Sequence, residues 1–362
     1  MKRREFTRNL LGLPLAAALP AEAALAAAKG PLSLPEGGSI TDVPGLKVGH
    51  HTLSERPTGC TVLICESGAT AGVDVRGSAP GTRETDLLSP INSVQQVQAI
   101  LLSGGSAYGL AAATGVVRWL EEHNLGYKIG KGVVPIVPAA ILMDLGVGDF
   151  KIRPGDEHGY KACLAATTGP VAEGNVGAGA GATIGKMFGP KFSMKSGLGT
   201  ASAKIGDTGI VVGALVAVNA VGDVVDPHSG KVVAGARSED GKGYRDSMDA
   251  IMKGYRVVVQ KGANTTIGVV ATNAPFTKTQ MTKIAQMAHD GYARAINPVH
   301  TMGDGDTIFA MSTGTTEVKA DVTAVGSIAA TVMARAIVRA AMQATSLPDL
   351  GLPAHRDYVG EI

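Results

Sequence analysis

Lys261-Gly262-Ala263-Asn264-Thr265-Thr266-Ile267-Gly268-Val269-Val270-Ala271-Thr272-Asn273-Ala274-Pro275 is the stretch on which the fold turns. Its apolar part, Ile267 to Ala271, is short, partly β-branched and bounded by Gly and Pro, which predicts a buried strand. Directly before it stands the polar pair Asn264-Thr265, and the pair has two explanations. One is a strand entry, where Asn suits the turn and Thr suits the pleat. The other is a cut between Asn264 and Thr265, which would make Thr265 a new N-terminus. Its hydroxyl would then be a nucleophile and its own α-amine the base.

The rest of the chain narrows the choice. At 362 residues it is long enough for one large domain or two ordinary ones. Glycine is abundant and aromatics make up only 4%, so the core must be built from closely packed Ala, Val, Ile and Leu layers. Lys plus Arg (33) nearly balance Asp plus Glu (31), and no basic block stands beyond the N-terminus, which argues against nucleic-acid binding. Cys60, Cys65 and Cys163 form no metal-spaced cluster. Cys60 and Cys65 lie five apart in a strand-like run and point to opposite faces, so they are expected as buried small hydrophobes rather than a bridge.

Residues 1–28 are expected to be an export signal. Lys2-Arg3-Arg4-Glu5-Phe6 precedes the apolar stretch Leu10 to Leu19, and Ala-x-Ala sites follow at Ala21 to Ala23 and Ala24 to Ala26. The arginine pair resembles a twin-arginine signal, although Thr7-Arg8 departs from that pattern. The apolar middle is too short for a membrane anchor, and Pro14 interrupts it. A periplasmic or secreted protein, free of the membrane once the signal is removed, is the expectation.

Short strands are expected at Leu46 to Val48, Cys60 to Cys65 and Ala71 to Val75. After the apolar run Val94 to Leu102 comes Ser103-Gly104-Gly105-Ser106, then a helix to about His123 with Leu110, Ala113, Val117 and Leu120 on one face. A second apolar segment, Val133 to Leu145, ends Ile141-Leu142-Met143-Asp144, and a helix is expected over 156–166. Gly209 to Val218 is a continuous apolar run, hence a strand covered on both faces, and it ends at Asn219. Thr277-Lys278-Thr279-Gln280 has the form of a capping box, followed by Met281, Ile284, Ala285, Ala288 and Tyr292 at helical spacing. Thr307 to Met311 is a further strand, and Ala320 to Ala341 an Ala-rich helix. Strands and helices mix without a βαβ repeat, which favours a layered α+β domain with sheets in the middle.

Familiar cofactor motifs fail in detail. The Gly-rich run ending at Lys186 has Ala180 where a phosphate loop needs Gly and Met187 where it needs Ser or Thr. Gly177-x-Gly179-x-x-Ala182 lacks a preceding strand, Ser103 to Ser106 is not a nucleophile elbow, and Asp304-Gly305-Asp306 lacks the later acidic ligands of a calcium loop. The histidines give no HExxH. No metal and no organic cofactor is expected.

Four ordered segments together resemble one family, over roughly residues 40–345. Asn264 to Ala274 resembles the self-cleavage junction of the L-aminopeptidase/D-esterase (β-aminopeptidyl) family, which includes the 6-aminohexanoate-oligomer (nylon) hydrolases. Leu102 to Leu110, Gly177 to Lys186 and Val299 to Thr307 match its other landmarks. The resemblance implies an α-β-β-α sandwich of the N-terminal-nucleophile type, with a topology shared with ornithine acetyltransferases. It implies a large subunit, 29–264, and a small one, 265–362, that stay together after self-cleavage and assemble as a homo-oligomer, a tetramer of processed units. By the same resemblance Thr265 is the nucleophile, Asn219 helps form the oxyanion hole and Lys186 supports the nucleophile. Asp304 and Asp306 fall where the family keeps residues that orient the nucleophile and its amine. The aminopeptidase branch usually cuts before Ser, so Thr265 is closer to the nylon-oligomer branch. Met143 stands where several relatives carry a Tyr donor, and Gly104, Gly105 and Met143 are the expected substrate-binding positions.

These residue types suit the chemistry. A free α-amine titrates at roughly 7.7–8.0, close to operating pH, and a nearby Lys186 would favour its neutral form. The expectation is an exported, self-processing amidohydrolase that releases N-terminal residues from short peptides, amides or esters through an acyl-Thr intermediate. A 6-aminohexanoate-oligomer hydrolase, an acyltransferase of the ornithine acetyltransferase type and a periplasmic binding protein without chemistry are the alternatives.

Overall fold

The run after Thr266 lies inside a nine-stranded sheet, and its neighbours explain why it is apolar throughout. The computed structural model describes residues 36–256, 262 and 264–358, so the expected signal segment lies outside the described residues. The sheet strands in chain order are β1 (Lys47–Thr52), β2 (Gly59–Val75), β3 (Thr82–Arg83), β4 (Gln96–Ser103), β5 (Ala139–Ile141), β6 (Leu198–Lys204), β7 (Val211–Ala217), β8 (Ile267–Thr272) and β9 (Thr307–Ser312). Their spatial order is β6-β7-β8-β9-β2-β4-β5-β3, with β1 also paired to β2. Strands β8 and β9 are parallel, as are β4 and β5, and the remaining pairs are antiparallel.

The two short strands expected at 60–65 and 71–75 are one continuous strand. Residues 60–64 of β2 pair with both β1 and β4, whereas residues 70–75 pair with β9, and the register against β4 shifts between Ile64 and Ala69. That irregularity bends the strand and re-aims its side chains, as bulges do. One apolar cluster joins Leu63, Cys65 and Ala71 of β2 to Ile100 and Leu102 of β4, Leu215 of β7, Val269 of β8 and Phe309 of β9. Inner faces from both halves of the sheet therefore meet in one core, which among the described residues no α-helix enters, only the short helical turns carrying Ile40, Leu88 and Ala178. The outer faces carry helices.

Helix α1 (Ala112–Glu122) and helix α2 (Asp156–Leu164) cover β1, β2 and β4. Cys60, Val62 and Ile64 alternate with the inner residues and pack there against Ala113, Val116 and Leu120. The buried stripe of α1 runs through Ala112, Ala113, Val116, Trp119 and Leu120, so Leu110 and Val117 lie at its border rather than its centre. Helix α3 (Lys278–Ala295) lies on β2 and β9, and helix α4 (Val322–Gln343) lies on β6 and β7. The expected capping box forms: Thr277 accepts from the Gln280 amide while the Gln280 side chain returns to Thr277 N.

Low aromatic content and close approach are two sides of one design. A Cβ placed on Gly72 would lie 2.3 Å from Thr282 N of α3, and one on Gly199 would lie 2.0 Å from Ala336 O of α4. Glycine at these two positions lets helix backbones sit directly on the sheet. All three cysteines are buried and free, Cys65 on the inner face and Cys60 on the outer. Burial pushes the Cys163 thiol up to about 12 and Cys60 further, so both stay protonated and unreactive.

Register builds the site. The parallel pairing of Ile267 with Thr307 sets the two polar lead-ins, 264–266 and 304–306, side by side, and Asn264 forms a parallel bridge with Asp304. The antiparallel pairing of Ala217 with Ile267 carries Asn219, two residues past β7, to the same end of the sheet.

Candidate active site

At this end of the sheet Thr265 is buried, and its N–H and its hydroxyl are both held. Its backbone N–H donates to the Asn219 carbonyl at 2.8 Å. Its hydroxyl donates to the carbonyl oxygen of Asn264, the oxygen of its own preceding peptide bond. That same carbonyl accepts the Gly305 N–H at 3.0 Å, and the Asn264 N–H reaches Gly303 O at 3.3 Å. The hydroxyl is thus placed against the bond whose cleavage would release it.

Asn219 is the hub of the far side. Its Oδ1 accepts Lys186 Nζ at 2.8 Å and Thr183 N at 3.1 Å, while its Nδ2 donates to the Met143 carbonyl at 3.0 Å. One N–H of that amide is therefore engaged in orienting it, and the other is available to an oxyanion. Met143 serves through its main chain, which any residue type could supply. Lys186 keeps part of its surface open, but protein surrounds its ammonium closely. Burial lowers its pKa to about 7, against the opposing pull of Asp304, Asp144 and Asp306. Near neutral pH it is therefore part amine and able to take a proton.

The two aspartates divide their work. Asp306 is fully committed: Oδ1 accepts Thr266 N at 2.7 Å, and Oδ2 accepts both the backbone N–H (3.1 Å) and the ring Nδ1 (2.9 Å) of His300. A carboxylate only accepts, so Nδ1 carries the proton in that bond. Asp304 Oδ2 takes Thr301 N at 2.7 Å, whereas its Oδ1 is buried without a protein partner. Burial first, and the charge of Asp306 second, hold the Asp304 carboxyl up at about 6. Asp304, not Asp306, has an oxygen to offer an amine.

Behind Met143 lies a buried ion pair absent from any sequence motif. Arg56 Nη2 meets Asp144 Oδ1 at 2.9 Å with both side chains fully enclosed, and Arg56 also donates to the carbonyls of Asp144, Val147 and Ile152. Asp144 further accepts Thr58 Oγ1 at 2.6 Å and Gly105 N at 2.8 Å. A Cβ on Gly104 would lie 2.3 Å from Asp144 Oδ2, and one on Gly181 2.5 Å from it. Gly104 and Gly181 admit the Asp144 carboxylate, and Gly105 donates its N–H to it.

Thr265, Asn219, Lys186, Asp304 and Asp306, scattered over 120 residues of sequence, thus converge on one junction. Four other contributors carried no sequence signal as active-site groups: Thr183, His300, Arg56 and Asp144. His300 stands inside the Val299-to-Thr307 segment, six residues before Asp306.

A polar entry at the end of an interior strand of a curled mixed sheet, between two helical layers, fits a variant of the N-terminal-nucleophile hydrolase fold. The chain is similar to the solved L-aminopeptidase D-Ala-esterase/amidase from Ochrobactrum anthropi, described as a new variant among that fold. The TM-score is 0.64 at 20% identity, covering 88% of this chain and 90% of that one. The chain belongs to peptidase family S58, which it matches over residues 38–351. It is 44% identical over 345 residues to an uncharacterized aminopeptidase of Mycobacterium tuberculosis (strain ATCC 25618 / H37Rv), covering 88% of this chain and 97% of the relative. A 6-aminohexanoate-oligomer endohydrolase of Kocuria sp. (strain KY2) is 32% identical over 314 residues, with 83% and 85% covered. The chain is therefore an enzyme, an aminopeptidase or amidohydrolase of the N-terminal-nucleophile type, and the expected family and α+β fold both hold.

Removing the Asn219 amide has a defined expected effect. In Asn219→Ala protein that has been correctly cut, kcat falls roughly 10²–10³-fold, the cost of one oxyanion donor in another hydrolase. Steady-state kinetics on the separated, mass-verified protein measures it, and undiminished turnover would remove Asn219 from the site.

Proposed function

We propose that this enzyme cuts itself between Asn264 and Thr265, and that the freed Thr265 hydrolyses short amides, peptides or esters that carry a free amine. The observation that carries the proposal is the Thr265 hydroxyl lying against the Asn264 carbonyl, inside a buried set that includes Lys186, Asn219 and Asp304. In turnover the Thr265 amine takes the hydroxyl proton, the oxygen attacks the substrate carbonyl, and the free N–H of Asn219 meets the developing negative charge. The proton then passes to the leaving amine, and water releases the acyl group from Thr265. The charged fraction of Lys186 disfavours a second positive charge nearby and so favours a neutral α-amine.

Substrate choice follows from charge. The unpartnered Oδ1 of Asp304 is the acceptor a substrate ammonium would need, and with aromatics only 4% of the chain few are available to line a trough for bulky side chains. Aminoacyl p-nitroanilides, β-alanyl amides and 6-aminohexanoate oligomers all satisfy this demand. The named activity of the Kocuria relative, together with Thr rather than Ser at the junction, favours including the last of them. Processing into 29–264 and 265–362, assembly of processed units and export to the periplasm belong to the same proposal.

A paired assay tests it. One good substrate is offered with its amine free and with its amine acetylated. Loss of a charge-assisted contact predicts a rate roughly ten- to a hundredfold lower for the acetylated form. Equal rates would move the enzyme to a general amidase or esterase.

A further inference from the structure

Asn264 and Thr265 meet two different sets of donors, and the difference separates self-cleavage from turnover. In the uncut chain the scissile carbonyl is that of Asn264. The donors on its oxygen are the nucleophile itself and the backbone N–H of Gly305 at 3.0 Å. The Asn219 side chain is turned elsewhere: Nδ2 gives a proton to Met143 O, and Oδ1 is taken by Lys186 and Thr183. What Asn219 offers the junction is its backbone carbonyl, which holds the N–H of the departing Thr265 nitrogen at 2.8 Å.

We infer that the Gly305 N–H is the oxyanion donor of the self-cleavage step, a task the Asn219 amide does not share. This rests on the proposed cut at Asn264-Thr265. The Thr265 oxygen bonds to the Asn264 carbonyl carbon, and the carbonyl electron pair moves onto the oxygen that Gly305 already contacts. The hydroxyl proton passes through the basic groups of the site to the Thr265 nitrogen as the C–N bond breaks. An ester of Asn264 on Thr265 results, and water hydrolyses it to the Asn264 carboxylate and a free Thr265.

Three features support a preorganised donor at 305. The loop is pinned on both sides, by Ala79 N to Asp304 O at 2.9 Å and by Arg76 N to Asp306 O at 3.0 Å. It is aligned on the junction by the Asn264–Asp304 bridge and by Thr307 N to Thr266 O at 3.1 Å. Finally, only glycine fits: a Cβ at 305 would lie 2.6 Å from Ala79 O and 2.8 Å from Thr265 Oγ1, the attacking atom. A fixed donor aimed at developing charge costs no reorganisation when the reaction occurs. The glycine between Asp304 and Asp306 is thereby explained by chemistry as well as by space.

The test removes one hydrogen-bond donor, at the cost of a weaker acceptor at the Asp304 carbonyl that takes the Ala79 N–H. In the full chain, Gly305 is replaced by its α-hydroxy-acid counterpart, which turns the amide N–H into an ester oxygen. Appearance of the 265–362 chain is followed by mass. The expected result is self-cleavage slowed roughly 10²–10³-fold, with Asn219→Ala slowed at least tenfold less. The same replacement at Gly303, whose N–H goes to Thr301 Oγ1 at 3.2 Å and not to the scissile carbonyl, serves as the folding control. If the 305 ester cleaves within about threefold of the unaltered chain, or if the 303 ester is impaired as much, the inference falls. An unaltered chain that never cuts at Asn264-Thr265 overturns the underlying proposal instead, so the two failures are distinct.

Discussion

Thr265→Ala gives a single uncut chain with no measurable hydrolysis. The unaltered protein, in contrast, is expected to give two chains, the smaller beginning at Thr265. Loss of the nucleophile is expected to cost roughly six orders of magnitude in kcat, as removal of an essential nucleophile does elsewhere. Thr265→Ser, which retains a hydroxyl, still cuts. The neighbouring Thr266 is a real competitor in sequence, since a two-threonine junction offers two hydroxyls. Geometry separates them. Thr266 has already entered the strand pairing, its N–H on Asp306 Oδ1 at 2.7 Å and its carbonyl on Thr307 N at 3.1 Å. Only the Thr265 hydroxyl lies on the carbonyl preceding it. Intact mass and N-terminal sequencing of the small chain decide the matter. A start at Thr266, or residual cleavage in Thr265→Ala at the same bond, would assign the nucleophile elsewhere.

What the sequence disclosed here was the reacting end of the site, and the reason is local. Asn264-Thr265 directly precedes an apolar strand, Asn219 directly follows one, and Asp304 and Asp306 precede a third, so each sits where a continuous apolar run stops. Strand ends are legible, and three neighbouring strands in register bring their ends together. The support behind them was not legible, because it is made of long-range pairs. Arg56 and Asp144 are far apart in the chain, and neither stands in a repeating pattern that announces a partner. Asp144 ends an apolar segment and reads as the start of a loop. In the fold it is the acceptor for an arginine, a threonine hydroxyl and a glycine N–H. The role of the glycines at 104 and 181 was illegible for a related reason. A small residue is compatible with an open cavity or with a close contact, and only the position of the Asp144 carboxylate distinguishes the two. Strand β2 was split in expectation because Glu66 and Gly68 interrupt its apolar alternation. The interruption marks the register shift between Ile64 and Ala69 rather than a chain reversal.

Asp144→Ala should have the largest effect on stability. The substitution leaves the Arg56 guanidinium fully enclosed with no counter-charge, and breaking a buried pair in this way costs about 3–5 kcal/mol. At about 2–4 °C per kcal/mol for domains of 150–250 residues, Tm falls by roughly 6–20 °C. Arg56→Met in the same chain removes the stranded charge, and the double variant recovers part of the loss, because the penalty lies mainly in the unpaired ion. The consequence for catalysis is separate from that for stability. Asp144 follows Met143, whose carbonyl orients the Asn219 amide, and it also fixes the Gly105 N–H. Freed from its arginine, this turn no longer holds Asn219 at one angle. The protein still folded at low temperature therefore turns over more slowly, chiefly through kcat, while the double variant regains stability without regaining rate. Thermal melts paired with kinetics well below Tm read both effects. An unchanged Tm in Asp144→Ala would show that the ion pair does not hold the fold. Full activity in a destabilised Asp144→Ala would show that the turn at Met143 is positioned by something other than this carboxylate.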